Sequence, residues 1–137
     1  MENKTSRRAA ADGARGDAAL RRANALQQSG RLEEAVRTYR EAVEARPDLA
    51  PAHNNLANLL ADRGDIEDAV FHYRQAIALR PDSAEIHYNL GNALVRRGHA
   101  DEAAAHYIRA VGLRPDFADA QYGLAIAFAR NGHLENA

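Results

Sequence analysis

The chain has no cysteine among its 137 residues. This absence excludes disulfide bonds and zinc sites built from thiolates, so cysteine usage gives no information about the redox compartment. No apolar run approaches the roughly 18 residues that suggest a membrane span, and Met1 is not followed by the apolar core of a secretory signal. We therefore expect a cytoplasmic protein with no membrane partner.

The chain also lacks an excess of charge of either sign. It has 18 Lys and Arg residues against 19 Asp and Glu residues, and the two signs are interspersed along the sequence. Proteins that bind nucleic acid usually carry a basic patch, because they have to neutralise phosphates. The balanced composition therefore predicts no nucleic-acid partner.

What the chain does contain is an internal repeat. Residues 50–83 recur as residues 84–117, so the period is 34 residues. A period in this range is typical of solenoids built from stacked supersecondary units. The residues that recur at this spacing are glycines, prolines, tyrosines and alanines: Gly30, Gly64, Gly98 and Gly132; Pro47, Pro81 and Pro115; Tyr39, Tyr73 and Tyr107; Ala35, Ala69 and Ala103.

Each unit reads as two helices. The recurring glycine ends the first helix, because it adopts the left-handed conformation at no side-chain cost. The recurring proline ends the second helix, because it restricts the residue before it. An aspartate after each proline is a candidate N-cap for the next unit. This pattern predicts an all-α repeat array over residues 16–137, with units at 16–49, 50–83 and 84–117 and a partial unit at 118–137.

Residues 1–15 fall outside the period. They contain almost no apolar residue larger than alanine, and such a segment cannot bury enough surface to offset the entropy of ordering. We expect a disordered tail, with a basic docking arm around Arg7 and Arg8 as the alternative.

The unit resembles a tetratricopeptide repeat. In the second unit the resemblance is carried by a series of residues in register with that family's pattern: Leu56, Ala57, Gly64, Ala69, Tyr73, Ala76 and Pro81. It covers residues 16–137 and implies a right-handed superhelical solenoid of antiparallel helix pairs. It also implies that the first helix of each pair lines a concave groove, which holds an extended peptide.

Asparagine and tyrosine side chains occupy the positions that this resemblance assigns to the groove. An amide can both donate and accept hydrogen bonds, so rows of asparagine suit the recognition of a peptide backbone. The alternative is that these asparagines help the repeats to stack, or were copied by duplication. The predicted groove residues are Asn24, Asn54, Asn55, Asn58, Tyr88, Asn89, Asn92 and Tyr122.

The asparagine rows are similar to those in the repeat arrays of O-linked N-acetylglucosamine transferases, whose groove asparagines hold peptide backbone. The chain does not resemble the repeats that clamp a C-terminal carboxylate, which need Lys and Arg at groove positions. Positions such as Leu20, Glu85 and Gly123 hold no cation. The resemblance therefore implies recognition of backbone rather than of a chain terminus.

No pattern in the chain predicts catalysis, a metal or a cofactor. Paired acidic residues such as Glu33 and Glu34 lie at helix starts, where they complement the helix dipole. The six histidines recur at the repeat period and lack a matching carboxylate or cysteine, so duplication explains them better than a metal site does.

The sequence thus predicts a non-enzymatic module that binds a protein or peptide partner. Two alternatives stay open. The chain is the substrate-docking region of a larger enzyme such as a glycosyltransferase, or it is a self-assembling scaffold. The C-terminal helix carries the apolar residues Leu124, Ile126 and Phe128. We expect either that the natural chain continues past Ala137 or that two copies meet through this end as a homodimer.

Overall fold

The computed structural model describes residues 3–136, with side chains described up to residue 132. All regular structure in this part of the chain is helical, which confirms the predicted fold class. The helices are α1 (Lys4–Gln28), α2 (Leu32–Ala45), α3 (Ala50–Arg63), α4 (Ile66–Leu79), α5 (Ala84–Arg96), α6 (Ala100–Leu113) and α7 (Ala118–Asn136).

Consecutive helices pack against each other in hairpins. The pairs α1–α2, α3–α4 and α5–α6 make the closest contacts, and each pair then packs on the next. The first helices also touch across repeats, α3 against α5 and α5 against α7. The result is a solenoid whose face formed by α1, α3, α5 and α7 carries the predicted groove residues.

The recurring glycines act as the sequence predicts in the first three repeats. Gly30, Gly64 and Gly98 have φ values of 78°, 93° and 91°. A side chain is disfavoured in this left-handed region, so glycine allows the chain to reverse within a few residues. The turn brings the second helix of each repeat back along the first.

The core consists of small residues in contact with a few large ones. The alanines at the helix crossings, among them Ala69 and Ala103, are fully buried, and so are Leu56 and Leu90. Small residues allow two helix axes to approach closely, and the leucines fill the space between the pairs. This packing fixes the first helices side by side and so sets the spacing of the groove residues.

The disordered tail predicted for residues 1–15 differs from the structure, in which helix α1 already begins at Lys4. Asn3 caps this helix, and its side chain accepts a hydrogen bond from the Ser6 amide at 2.8 Å. Alanine is the best helix former, and four alanines between residues 9 and 14 extend the helix that the first repeat nucleates. The side chains of this extension are mostly exposed, as their composition predicts.

Two further expectations about helix ends were wrong. The N-caps of α3 and α5 are Leu49 and Ser83, not the aspartates that follow the prolines, and Asp48 instead accepts a hydrogen bond from Arg46. Helix α7 also passes through Gly132 without a turn. In the described residues no later helix packs back on α7 to fix a turn there, and a helix tolerates an interior glycine at a cost of about 1 kcal/mol.

Candidate functional site

Three cavities lie along the face formed by the first helices. Two of them, of about 220 Å³ and about 540 Å³, lie between α3 and α5. Five asparagines are among the residues that line them, and we call this region the asparagine half; its asparagines are Asn54, Asn55, Asn58, Asn89 and Asn92.

The third cavity, of about 360 Å³, lies between α5 and α7, and we call it the tyrosine hollow. Its lining is mostly apolar and aromatic, with charged residues at the edges: Tyr88, Asn92, Val95, Arg96, Tyr107, Asp119, Tyr122, Gly123, Ile126 and Arg130. The structure therefore brings seven of the eight predicted groove residues to the two neighbouring regions. The remaining one, Asn24 on α1, lies beside the asparagine half and contacts Asn55.

One row of asparagines is held from behind by tyrosines of the second helices. The Tyr39 hydroxyl lies 2.6 Å from Asn24 Oδ1 and also 2.6 Å from Gln27 Oε1, either of which can accept its proton, and the Tyr107 hydroxyl donates to Asn92 Oδ1 at 2.5 Å. Tyr73 makes the same contact with Asn58. Each bond joins the two helices of one repeat, so this row has a structural role beside any role in binding.

The buried tyrosines keep their protons and so remain donors in these bonds. Burial raises the pKa of Tyr107 to about 12, and burial also raises the pKa of Tyr73. Burial likewise raises the pKa of Tyr39, although a hydrogen bond from Asn55 lowers it in part. Because each hydroxyl donates, the asparagine must present its oxygen, and its amide N–H groups point elsewhere.

The second row of asparagines joins neighbouring repeats. Asn55 Nδ2 donates to Asn24 Oδ1 at 3.2 Å, and Asn89 Nδ2 donates to Asn54 Oδ1 at 3.3 Å. Asn54, predicted as a groove residue, is only 8% exposed and serves mainly as this acceptor. The alternative role foreseen for the asparagines, in the stacking of repeats, is therefore present in the second row, whereas Asn58 and Asn92 of the first row bond within their own repeats.

The two rows leave complementary groups available to a ligand. In Asn58 and Asn92 the oxygen accepts from a tyrosine, so the NH₂ group remains a donor. In Asn55 and Asn89 one N–H is used, and the oxygen remains an acceptor. All four side chains are half-buried and line the cavities between α3 and α5. The asparagine half thus offers donors and acceptors side by side, in orientations fixed by the protein.

The tyrosine hollow is shaped by two glycines that contact one tyrosine. A Cβ atom at Gly91 would come within 2.7 Å of the Tyr107 ring, and a Cβ at Gly123 within 2.8 Å. The ring of Tyr107 therefore packs directly against the backbones of α5 and α7. Tyr88 packs near it at a centroid distance of 6.1 Å, whereas Tyr122 is 70% exposed at the rim.

Sequence reasoning missed two arginines at the tyrosine hollow. Arg96 and Arg130 occupy equivalent places in successive repeats, where the earlier units have Gln28 and Asp62. They lie one helical turn after Asn92 and Ile126, and i, i+4 residues share a helix face. That spacing was the signal that could have found them.

Four of the histidines form two pairs, each inside one repeat. Nδ1 of His53 lies 3.1 Å from Nδ1 of His72, and Nε2 of His53 lies 2.9 Å from the carbonyl oxygen of Pro47. A carbonyl only accepts, so His53 carries its proton on Nε2, and His72 donates to its Nδ1. His87 and His106 repeat this geometry. Burial lowers the pKa of His72 to about 4, with a smaller effect from His53, and burial also lowers that of His106.

The residues that the structure describes contain neither a metal-binding cluster nor a membrane-spanning helix. No group of three or more His, Cys, Asp or Glu side chains in this part of the chain is arranged to hold a metal ion. Among the same residues, no helix combines the length and apolar character needed to cross a bilayer.

Comparison with known proteins identifies the repeat. The profile described as "TPR repeat" matches residues 23–62, 57–98 and 91–132, and these segments together cover most of the chain. No curated protein sequence matches the chain.

Solved structures with the same fold include a mutant O-GlcNAc transferase of Thermobaculum terrenum. It is 32% identical with a TM-score of 0.74, and the match covers 93% of this chain and 23% of the transferase. YrrB, a TPR protein with an unusual peptide-binding site, is 24% identical with a TM-score of 0.78 over 86% of this chain and 61% of its own.

The first TPR of Spaghetti (RPAP3), solved with the HSP90 peptide SRMEEVD, is 19% identical with a TM-score of 0.82 over 88% of this chain and 95% of its own. The last two likenesses show the fold alone. The sequence profile and the transferase likeness together show that the chain belongs to the TPR repeat family.

Proposed function

We propose that the chain is a protein-interaction module without catalytic activity, which binds an extended peptide segment along the face formed by its first helices. The observation that carries the proposal is the presence of both amide donors and acceptor oxygens in the asparagine half. Asn58 and Asn92 present amide donors there, and Asn55 and Asn89 present acceptor oxygens. An extended backbone presents N–H and C=O groups in alternation, and such a surface matches both.

The hydrogen bonds inside the protein support this role because they orient the amides before any ligand arrives. A side chain that is free in solution loses rotamer entropy when it binds, at a cost of about 0.5–1.5 kcal/mol. Tyr73 and Tyr107 hold two of the amides, and Asn24 and Asn54 hold the other two. Binding to a backbone therefore requires little further ordering of the groove.

The relatives agree with the proposal at the level of the fold. YrrB has a peptide-binding site, and the first TPR of RPAP3 was solved with a bound peptide. As part of the same proposal the partner is a protein segment rather than nucleic acid or membrane, and the location is cytoplasmic.

The test is a double substitution, Asn55→Ala with Asn89→Ala. An array of peptides with blocked termini and randomised side chains first supplies a binder, whose affinity is then measured by fluorescence anisotropy. Each lost hydrogen bond costs about 0.5–1.5 kcal/mol. The double variant should therefore bind roughly 5- to 150-fold more weakly. Its far-ultraviolet circular dichroism should match that of the parent, because both side chains are only half-buried.

The matched control is Gln75→Ala, which removes an exposed amide from α4 on the other helix of the repeat. This variant should bind like the parent. If the double variant keeps the parent affinity, or if the array yields no binder, the asparagine half does not hold peptide backbone.

A second candidate is that the same groove docks substrates for a longer enzyme. The observation that favours it is the 32% identity to the Thermobaculum terrenum transferase over 93% of this chain. The match spans only 23% of the transferase, so the chain corresponds to a small part of that protein. Sequencing the transcript decides the question: an open reading frame that continues into a glycosyltransferase domain supports this candidate, and a stop codon directly after Ala137 removes it.

A further inference from the structure

The asparagine pattern ends at helix α7. The places that Asn54, Asn55 and Asn58 occupy in the second repeat are taken in the fourth by an aromatic residue, a glycine and an aliphatic residue. These replacements are Tyr122, Gly123 and Ile126. The tyrosine hollow therefore offers few of the amide groups that suit the asparagine half to a peptide backbone.

The shape and lining of the hollow suit a side chain instead. Its volume of about 360 Å³ lies within the range of small-ligand pockets, and the buried Tyr107 ring, packed against Gly123, forms part of its wall. Tyr88 and Tyr122 stand at its sides. Aromatic rings pair edge-to-face or offset, so a third ring placed among them gains contacts beyond its burial.

The charges around the hollow differ from those of the asparagine half. Two arginines and one aspartate line the hollow, namely Arg96, Arg130 and Asp119. The larger cavity of the asparagine half has the opposite balance, with Asp62 and Glu85 against Arg96. Arg96 uses one N–H on the Ala61 carbonyl at 2.8 Å, and a guanidinium has four more donors. The basic edge of the hollow therefore favours a carboxylate.

We infer that the tyrosine hollow anchors an aromatic side chain of the bound segment, with an acidic residue directly beside it. The inference rests on the proposed function, because the hollow continues the same groove. The aromatic side chain enters between Tyr88 and Tyr122, and the carboxylate meets Arg96 and Arg130. The asparagine half holds the backbone of the same segment without selecting its side chains.

The test uses four short peptides with blocked termini and one neutral host sequence. At the central position they carry phenylalanine or alanine, and next to it glutamate or lysine. The peptide with phenylalanine and glutamate should bind best. Exchange of phenylalanine for alanine should weaken binding about tenfold or more, and exchange of glutamate for lysine should weaken it by a smaller factor that shrinks as salt is added.

The variant Tyr122→Asn gives the fourth repeat the residue that the second repeat has at this place. It should remove most of the preference for phenylalanine. Tyr122 is 70% exposed, so the substitution leaves the core intact. The matched control is Phe128→Asn, which removes an exposed aromatic side chain from the same helix outside the hollow and should leave the preference unchanged.

The variant Arg130→Gln tests the carboxylate. It should reduce the preference for glutamate over lysine, whereas Arg37→Gln, an exposed arginine on α2, should not. Equal affinity for the phenylalanine and alanine peptides would overturn the inference and leave the proposed function standing, provided that binding still depends on Asn55 and Asn89. Absence of binding by any of the four peptides would overturn both.

Discussion

The asparagine half and the tyrosine hollow are built on the same repeat, yet they present different chemistry. Behind both lies the same support, a buried tyrosine of the second helix that donates to an asparagine of the first: Tyr73 to Asn58 and Tyr107 to Asn92. On the surface of the groove, the asparagine amides of α3 are replaced at the equivalent positions of α7 by Tyr122, Gly123 and Ile126.

The difference shows which positions the fold constrains and which it leaves open. The buried alanines, leucines and tyrosines recur because they set the distance between helices. Several residues in front of them, such as Asn55 and Tyr122, are half-buried or exposed, and replacing these changes the surface with little change in the packing. A repeat protein of this kind can therefore vary its ligand along one groove while each unit folds in the same way.

The largest expected effect is a loss of stability at low pH, which comes from the buried histidine pairs of the second and third repeats. The pKa of His72 is lowered from 6.5 to about 4, and that of His106 is lowered too. The unfolded chain therefore takes up protons at these sites as the pH falls below 6.5, while the folded chain does not. Stability is full above that pH and is lost as the pH falls toward 4, by on the order of 3 kcal/mol for His72 alone.

Urea unfolding at neutral pH and near pH 5 measures this loss. The double variant His72→Gln with His106→Gln should lose much less stability on acidification than the parent. The control His99→Gln changes an exposed histidine and should keep the parent's pH dependence. In the fourth repeat Gln121 stands at the position of His53 and His87, the partners of His72 and His106, and donates a hydrogen bond to the Pro115 carbonyl at 2.6 Å. A parent protein that is equally stable at neutral pH and near pH 5 would show that burial does not keep the histidine pairs neutral.

A smaller loss of stability is expected when Gly123 in the tyrosine hollow is replaced by the asparagine of the preceding repeat. Asn89 and Gly123 occupy equivalent places, but a Cβ at Gly123 would lie 2.8 Å from the Tyr107 ring. Gly123→Asn should therefore overpack the contact and destabilise the protein by about 1–3 kcal/mol. Tyr122→Asn, one residue earlier and exposed, serves as the control that keeps the thermal midpoint. Equal midpoints for the two variants would mean that Tyr107 can move aside.

Removal of one hydrogen bond between a buried tyrosine and its asparagine should lower the free energy of unfolding by about 1 kcal/mol. Asn92→Ala leaves the hydroxyl of Tyr107 without its acceptor, and the cost lies at the lower end of the range because the hollow is open to water. Tyr107→Phe combined with Asn92→Ala should restore most of the loss, because both partners of the bond are then gone. A double variant as unstable as Asn92→Ala alone would assign the loss to packing.

The smallest effect concerns self-association through α7. Phe128 is 54% exposed on this helix, and an exposed aromatic side chain is a common element of contact surfaces. We predict a weak dimer, which Phe128→Ser shifts toward monomer in sedimentation velocity at high concentration. A parent protein that is monomeric over the whole concentration range would rule out this contact.

The sequence predicted the helix pairs because the glycine, proline and alanine positions each follow from local rules. It did not predict that α1 extends to Lys4 or that α7 continues through Gly132. Both depend on what packs against the helix, since glycine ends a helix only where a turn is required and alanine extends one where nothing opposes it.

The sequence predicted which residues share the face of the first helices but not the hydrogen bonds between them, and peptide binding by these residues stays a prediction. The groove positions came from the resemblance to the tetratricopeptide repeat, and in the structure Asn55, Asn89 and Tyr122 line cavities on the face of the first helices. The tyrosine support and the burial of Asn54 were not predicted, because they depend on contacts between helices that residue type alone does not reveal. The basic edge was not predicted either, because Arg96 lies one helical turn beyond the groove positions that the resemblance assigns.

The central claim is that Asn55 and Asn89 accept hydrogen bonds from the backbone of a bound peptide. Its most direct test is N-methylation of single peptide amides, measured with the parent and with the Asn55→Ala, Asn89→Ala variant. Methylation at the amides that meet the asparagines should weaken binding to the parent by about 0.5–1.5 kcal/mol each and should have little further effect on the variant. Equal losses in both proteins, or no loss at any position in the parent, would contradict the account.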